Sequence, residues 1–255
     1  MVVAVGDEPI LARGWGYADP ESESPADVES RYRAGAISAP LAAIALVDLL
    51  GESEHTLDTP VGDVLAGLSE WDAPVTIRHV LAHTSSLPDW GSGMDGAAAA
   101  RDPRAALAWL AARTPEAAPG TCFGFTPADL LLTGLLAEEL AGEPLPRLLR
   151  RRFFEPLGME ATFHDEGGPG RHELSPAVQE VSGEACDYGA SIQPFDAGSL
   201  CTSARDLFAF TRALAGLELV EQGVLEALTE SQRLRDGEPT GFGLGLGRTR
   251  LGEHE

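Results

Sequence analysis

Lysine and asparagine are both absent from the 255 residues, and all eighteen basic side chains are arginine. No chemistry that needs a lysine amine or an asparagine amide can run on this chain. A GC-rich or salt-adapted source biases composition this way, and deliberate editing of a sequence would do the same. Positive charge is scarce as well. Forty acidic residues leave a formal net charge of -22, a field that repels nucleic acid and anionic membrane surfaces, so neither is expected as a partner. Cysteine is limited to Cys122, Cys186 and Cys201, an odd number without metal-ligand spacing. They read as small packing side chains rather than a disulfide framework or a metal site. No apolar run reaches the roughly 18–20 residues of a membrane span, and the first five residues are followed by charge, not by a signal-peptide core. The expectation is a soluble, cytoplasmic chain with no cofactor.

What remains is a chain of ordinary apolar content, 44%, long enough for one large domain or for one domain inserted into another. Residues 2–5 and 10–17 predict a hairpin around Gly6-Asp7-Glu8-Pro9. An acidic loop over 19–29 leads to a helix opened by Tyr32-Arg33-Ala34-Gly35-Ala36-Ile37-Ser38-Ala39-Pro40-Leu41. Leu41, Ile44, Ala45 and Leu49 give it a mostly apolar face, with Gly51 as its stop. Thr76, Thr126 and Ser203 each precede an apolar helical pattern in the N-cap position, and Pro127 follows Thr126 at the first helical position. Further helices are expected over 103–113, 144–154 and 220–228. Residues 160–197 are loop-rich, with Gly167-Gly168-Pro169-Gly170 as a turn. Glycine alternates with apolar residues over 241–247, which predicts a strand.

The order is strands, then helices, then a strand. It predicts an α/β fold: a small antiparallel sheet flanked by helices, in which the two ends of the chain meet, with an all-helical region inserted. Residues 1–59 and 186–255 would form the α/β region and 60–185 the helical insert.

Five blocks in order carry a resemblance. Residues 32–39 fall where a known family has aromatic-Arg-x-Gly-Ser-x-x-Lys. Thr76-Ile77-Arg78-His79-Val80-Leu81-Ala82-His83-Thr84-Ser85-Ser86-Leu87 is similar to its T-I-R-H-L-L-x-H-T-S-G-L. Pro119-Gly120-Thr121-Cys122-Phe123-Gly124-Phe125-Thr126-Pro127 is similar to P-G-x-x-F-x-Y-x-N. Phe153-Phe154-Glu155-Pro156-Leu157-Gly158-Met159 matches F-x-P-L-G-M, and residues 197–207 resemble A-G-G-L-x-S-T-A-x-D-L. The chain resembles the serine β-lactamase and penicillin-binding-protein superfamily, in the branch of class C β-lactamases, DD-peptidases and related esterases.

That resemblance implies acyl hydrolysis or transfer on β-lactam, peptide or ester substrates. A serine attacks, a lysine one turn later deprotonates it, a tyrosine moves protons to the leaving group, and an asparagine binds the substrate amide. Backbone donors hold the tetrahedral charge. In this chain the nucleophile position is Ala36, the general-base lysine position Ala39, the tyrosine position Phe125 and the asparagine position Pro127. A methyl cannot attack a carbonyl, so the expected state is an inactive one. Three explanations stay open: a pseudoenzyme that binds a small molecule, peptide or partner in the old cleft, an enzyme disabled on purpose, and a redesigned scaffold of the same fold.

Other candidates have plainer readings. Ser38 lies two residues past Ala36, about 200° around the helix and away from the site. Ser85 and Ser86 read as turn formers after the helix at 76–83. His79 and His83 are four apart but lack an intervening glutamate and a third ligand, so both read as packing histidines. Arg150-Arg151-Arg152 reads as a solvated helix face.

The resemblance also implies an N-terminal helix and C-terminal strands, the latter carrying an H-x-G or K-T-G segment, and the expectation is a fold lacking both. His254 stands where that segment would begin. Family members are often exported. Loss of those elements predicts exposed apolar sheet, a free edge, and a homo-oligomer or partner to cover it.

Overall fold

The computed structural model describes residues 1–19, 22–68, 71, 74–88, 102–164, 178–181, 184–187 and 200–248, the two short stretches 178–181 and 184–187 by backbone alone. It is a mixed α/β fold with small antiparallel sheets and helices. The strands are β1 (Val2–Val5), β2 (Glu8–Ala12), β3 (Tyr17–Asp19), β4 (Ser24–Pro25), β5 (Tyr32–Arg33), β6 (Phe163–His164), β7 (Val178–Val181), β8 (Glu184–Asp187) and β9 (Leu200–Thr202). The helices are α1 (Ala39–Gly51), α2 (Val61–Val64), α3 (Ile77–Leu81), α4 (Pro103–Ala111), α5 (Pro127–Ala141), α6 (Leu145–Leu149), α7 (Glu155–Leu157), α8 (Ala204–Ala215) and α9 (Gln222–Thr229). Among the described residues no helix is long and apolar enough to cross a membrane.

Helix α1 is the axis of the core. A 3-10 turn over Gly35–Ser38 leads into it, and Pro40 sits in its first turn, where a missing N–H is no loss. The residues from Leu41 to Leu46 are all buried. An apolar face alone would leave one side wet; this helix is enclosed on every side. It ends one residue past the expected stop, with Gly51 still helical and Glu52 as the cap. Its main partner is α5, which brings Leu131, Leu132 and Leu136 fully inside. Each such side chain contributes about 1.5–3 kcal/mol on burial.

The caps are local and behave as the sequence predicts. Thr126 Oγ1 accepts from the Asp129 N–H at 3.2 Å, and α5 ends at Gly142 with φ 66°. Ser203 Oγ accepts from the Asp206 N–H at 3.1 Å to open α8. The Asp206 carboxylate then accepts from the Ala161 N–H and from Thr162 Oγ1, which ties β6 to α8.

Three expectations need correction. The first hairpin turns on Gly6-Asp7 alone, and Pro9 lies within β2, opposite Ala4 at a register irregularity. The second strand ends at Ala12 because the chain must pass Ala26 at Gly14, where a Cβ would stand 2.0 Å from the Ala26 oxygen; Tyr17 then pairs with Pro25 instead. Second, among the described residues the two ends of the chain meet in a sheet through other strands than expected: β5, not the first hairpin, pairs with β9, Tyr32 opposite Thr202. The three-stranded sheet runs β5–β9–β6, while β1 and β2 pair only with each other. Third, the glycine-alternating stretch is a loop, not a strand. Phe242 bridges Gly247, and the Gly243 N–H reaches the Leu246 carbonyl at 2.7 Å. Its glycines serve close approach: a Cβ on Gly245 would sit 2.4 Å from Ala43 of α1.

The arginine run also differs from its plain reading. A π turn over Arg150–Phe154 re-aims these side chains. Arg152 pairs with Asp48 and Glu52 of the α1 end, and Arg151 with Glu143 at 2.7 Å. The turn at 167–170 and His254 lie outside the described residues, as does the side chain of Cys186. Cys201 is buried and Cys122 exposed.

Candidate functional site

A cavity of about 250 Å³ opens between the start of α1 and α5, beneath the loop at 241–247. Ala36 reaches it from the 3-10 turn and Ala39 from the first α-helical residue. The three-residue period of a 3-10 turn places them on one side. Phe125 enters from the segment ahead of α5 and is 52% exposed. Three of the four positions picked from sequence therefore surround one space. Pro127 does not line it; it occupies the first helical position of α5. Ser38 is turned away and buried, its Oγ donating to the Gly35 carbonyl at 2.5 Å.

Behind the cavity stands a polar cluster. Asp129 is fully buried in the first turn of α5, and its two carboxylate oxygens take different partners. Ser85 Oγ donates to Oδ1 at 2.5 Å, while His83 Nδ1 lies 3.1 Å from Oδ2. Ser85 Oγ in turn accepts from the Leu87 N–H at 3.2 Å. Burial pushes the Asp129 carboxyl up, against the opposing pull of His83 and Ser85. The chain that carries this cluster is held by backbone bonds to the Phe125 segment: the Gly124 N–H reaches the His83 carbonyl at 2.9 Å and the Gly120 N–H the Thr84 carbonyl at 2.7 Å. His83 and Ser86 pass through the left-handed region at φ 53° and 59°, a strained course for residues with side chains.

His83 is also the polar boundary of the cavity. Its ring lies on Phe125, centroids 4.2 Å apart, and near Phe242 at 5.3 Å. Its Nε2 has no hydrogen-bond partner among the described residues. His79 has other work. Its Nδ1 accepts from the Thr76 N–H at 3.1 Å and its own N–H reaches Thr76 Oγ1, a reciprocal cap on α3. Burial, then the nearby Arg235 and Arg78, hold the His79 imidazole below its ordinary value. The two histidines serve different partners. Among the described residues no cluster of histidine, cysteine or acidic side chains could hold a metal ion.

Sequence reasoning missed Asp129 and gave Ser85 too small a role. The signal was present: an acidic residue interrupts an apolar helix just after its Thr-Pro start. Nothing local says that its partners lie 44 and 46 residues earlier.

Residues 1–252 match the Beta-lactamase family, and the chain belongs to it. It is 26% identical over 271 residues to a D-aminopeptidase of Gluconobacter oxydans, covering 98% of this chain and 48% of the relative. It is 31% identical over 175 residues to the esterase EstB of Burkholderia gladioli, covering 62% of this chain and 44% of that protein. The chain thus spans about half the length of the curated relatives it matches. The fold is shared with the octameric penicillin-binding protein homologue of Pyrococcus abyssi, at a TM-score of 0.79 and 23% identity, covering 96% of this chain and 59% of the other.

Proposed function

We propose that this chain is a family member that has lost serine acyl transfer and keeps its cleft as a binding pocket. The observation that carries this is the cavity wall itself. Ala36, Ala39 and Phe125 meet around one space, at the positions where the resemblance calls for serine, lysine and tyrosine. Hydroxyl, amine and phenol oxygen are all absent from these three side chains, so none of them can attack, take the proton or return it. The hydroxyl of Ser38 is committed to the Gly35 carbonyl and that of Ser85 to Asp129. By descent the reaction lost is hydrolysis or transfer of an acyl group, in keeping with D-aminopeptidase and esterase relatives.

A second part of the proposal concerns assembly. The β1–β2 hairpin leaves Val5 71% and Ile10 65% exposed, with Trp15 and Tyr17 also more than half exposed just beyond it. Apolar surface of that kind favours a covering partner, a second copy included.

The test is turnover. Incubated with a chromogenic β-lactam and with a nitrophenyl ester, the protein should release product no faster than buffer does. Release tenfold above buffer, lost on heat denaturation, would sink the inactive reading.

A further inference from the structure

We propose that the cavity between α1 and α5 takes a small neutral molecule with an apolar body and one hydroxyl, the hydroxyl resting on His83 Nε2. This rests on the reading of the cleft as a binding pocket and names its ligand class.

The wall excludes most alternatives. Alanine, proline, valine, leucine and phenylalanine side chains supply nearly all of it, and among the described residues no charged side chain lines it. A carboxylate drawn into such a space would lose its water without meeting a cation, and an ammonium would meet no anion. The overall charge of -22 adds a repulsive field against anions. β-Lactams, which carry a carboxylate, therefore fit poorly, and a neutral ligand fits well. Size narrows the choice further. A dry apolar cavity of about 150 Å³ holds benzene. At about 250 Å³ this one holds a six-membered ring with a short chain.

The polar end of the ligand is set by a short inventory. Among the described residues two polar side chains reach the wall, Thr133 and His83. The Thr133 hydroxyl is used inside its own helix, donating to the Asp129 carbonyl at 2.8 Å. That leaves His83. Asp129 engages Nδ1, and the ring lies on Phe125, so the imidazole is fixed and Nε2 turns away from the carboxylate. A hydroxyl suits this atom in either tautomer, donating to a bare Nε2 or accepting from Nε2–H. An ether, a ketone or an ammonium satisfies only one of the two.

The experiment compares three ligands of matched shape at pH 7.5: 2-phenylethanol, ethylbenzene and phenylacetate. Calorimetry should find one site for 2-phenylethanol, with a Kd of roughly 0.1–1 mM. Binding should be about fivefold weaker for ethylbenzene and at least tenfold weaker for phenylacetate. In long-range 1H–15N spectra, 2-phenylethanol should move the His83 Nε2 resonance and ethylbenzene should leave it. Ala39→Leu fills the cavity floor and should abolish binding; if that variant does not fold, Ala36→Leu at the exposed rim should weaken it at least fivefold. No binding at 10 mM, equal binding of all three, or tightest binding of phenylacetate would each overturn the ligand class. Ester turnover by the same sample would instead overturn the inactive reading. The two failures are therefore separable.

Discussion

Two sets of residues face each other across His83, one apolar and one polar. On the cavity side, the positions that the resemblance reserves for serine, lysine and tyrosine hold Ala36, Ala39 and Phe125, without a functional atom among them. On the other side, Asp129, Ser85 and His83 remain at most 4% exposed and hydrogen-bonded to one another. A buried carboxylate is expensive to keep unless every oxygen is answered, and here both are. The contrast separates what the reaction needs from what the fold needs. On the proposed reading the wall loses its chemistry through three side chains, whereas the cluster behind it cannot be thinned without leaving an orphan.

The largest effect should come from breaking the side that was kept. Asp129→Ala leaves the Ser85 hydroxyl and the His83 ring without their acceptor in a fully buried place. Chemical denaturation should show a loss of about 3–5 kcal/mol. A loss under 1 kcal/mol would mean that the cluster is decorative and the contrast false.

A second histidine sharpens the comparison. His164 of β6 has both ring nitrogens closed off from solvent and neither hydrogen-bonded, the reverse of His83. Burial lowers its pKa from 6.5 to about 4. As pH falls from 6.5 towards 4 the unfolded chain takes up a proton that the folded chain refuses, so stability declines with falling pH, by roughly 3 kcal/mol in all. Asp129, pushed upward by burial, titrates with the opposite sign. The clean measurement is therefore a difference. Between pH 7 and 4.5 the chain should lose about 2–3 kcal/mol more than His164→Phe does. Parallel curves would contradict it.

How much of this could be read from residues alone depends on reach. Thr76, Thr126 and Ser203 announce their helices because a cap bonds three residues ahead, and Gly142 ends α5 by its own backbone conformation. The positions Ala36, Ala39 and Phe125 were legible only through neighbouring blocks, since a missing hydroxyl leaves no local signal. What failed was non-local or ambiguous. Asp129 answers to residues more than forty positions away, and glycine alternation at 241–247 imitates a strand while serving close packing on Ala43. Strand pairing failed for the same reason: Tyr32 meets Thr202 across most of the chain, and no period within either segment predicts it.

The proposed function turns on Ala36, Ala39 and Phe125 as the residues that silence the chemistry. Intact-mass spectrometry of the unmodified chain beside the combined Ala36→Ser, Ala39→Lys, Phe125→Tyr variant, each held with a β-lactam and with an activated ester, tests it most directly. The prediction is no added mass on the unmodified chain and a stoichiometric acyl adduct at position 36 of the variant. An adduct on the unmodified chain, at Ser38 or Ser85 or elsewhere in the cleft, would contradict it, as would a folded variant that never acylates.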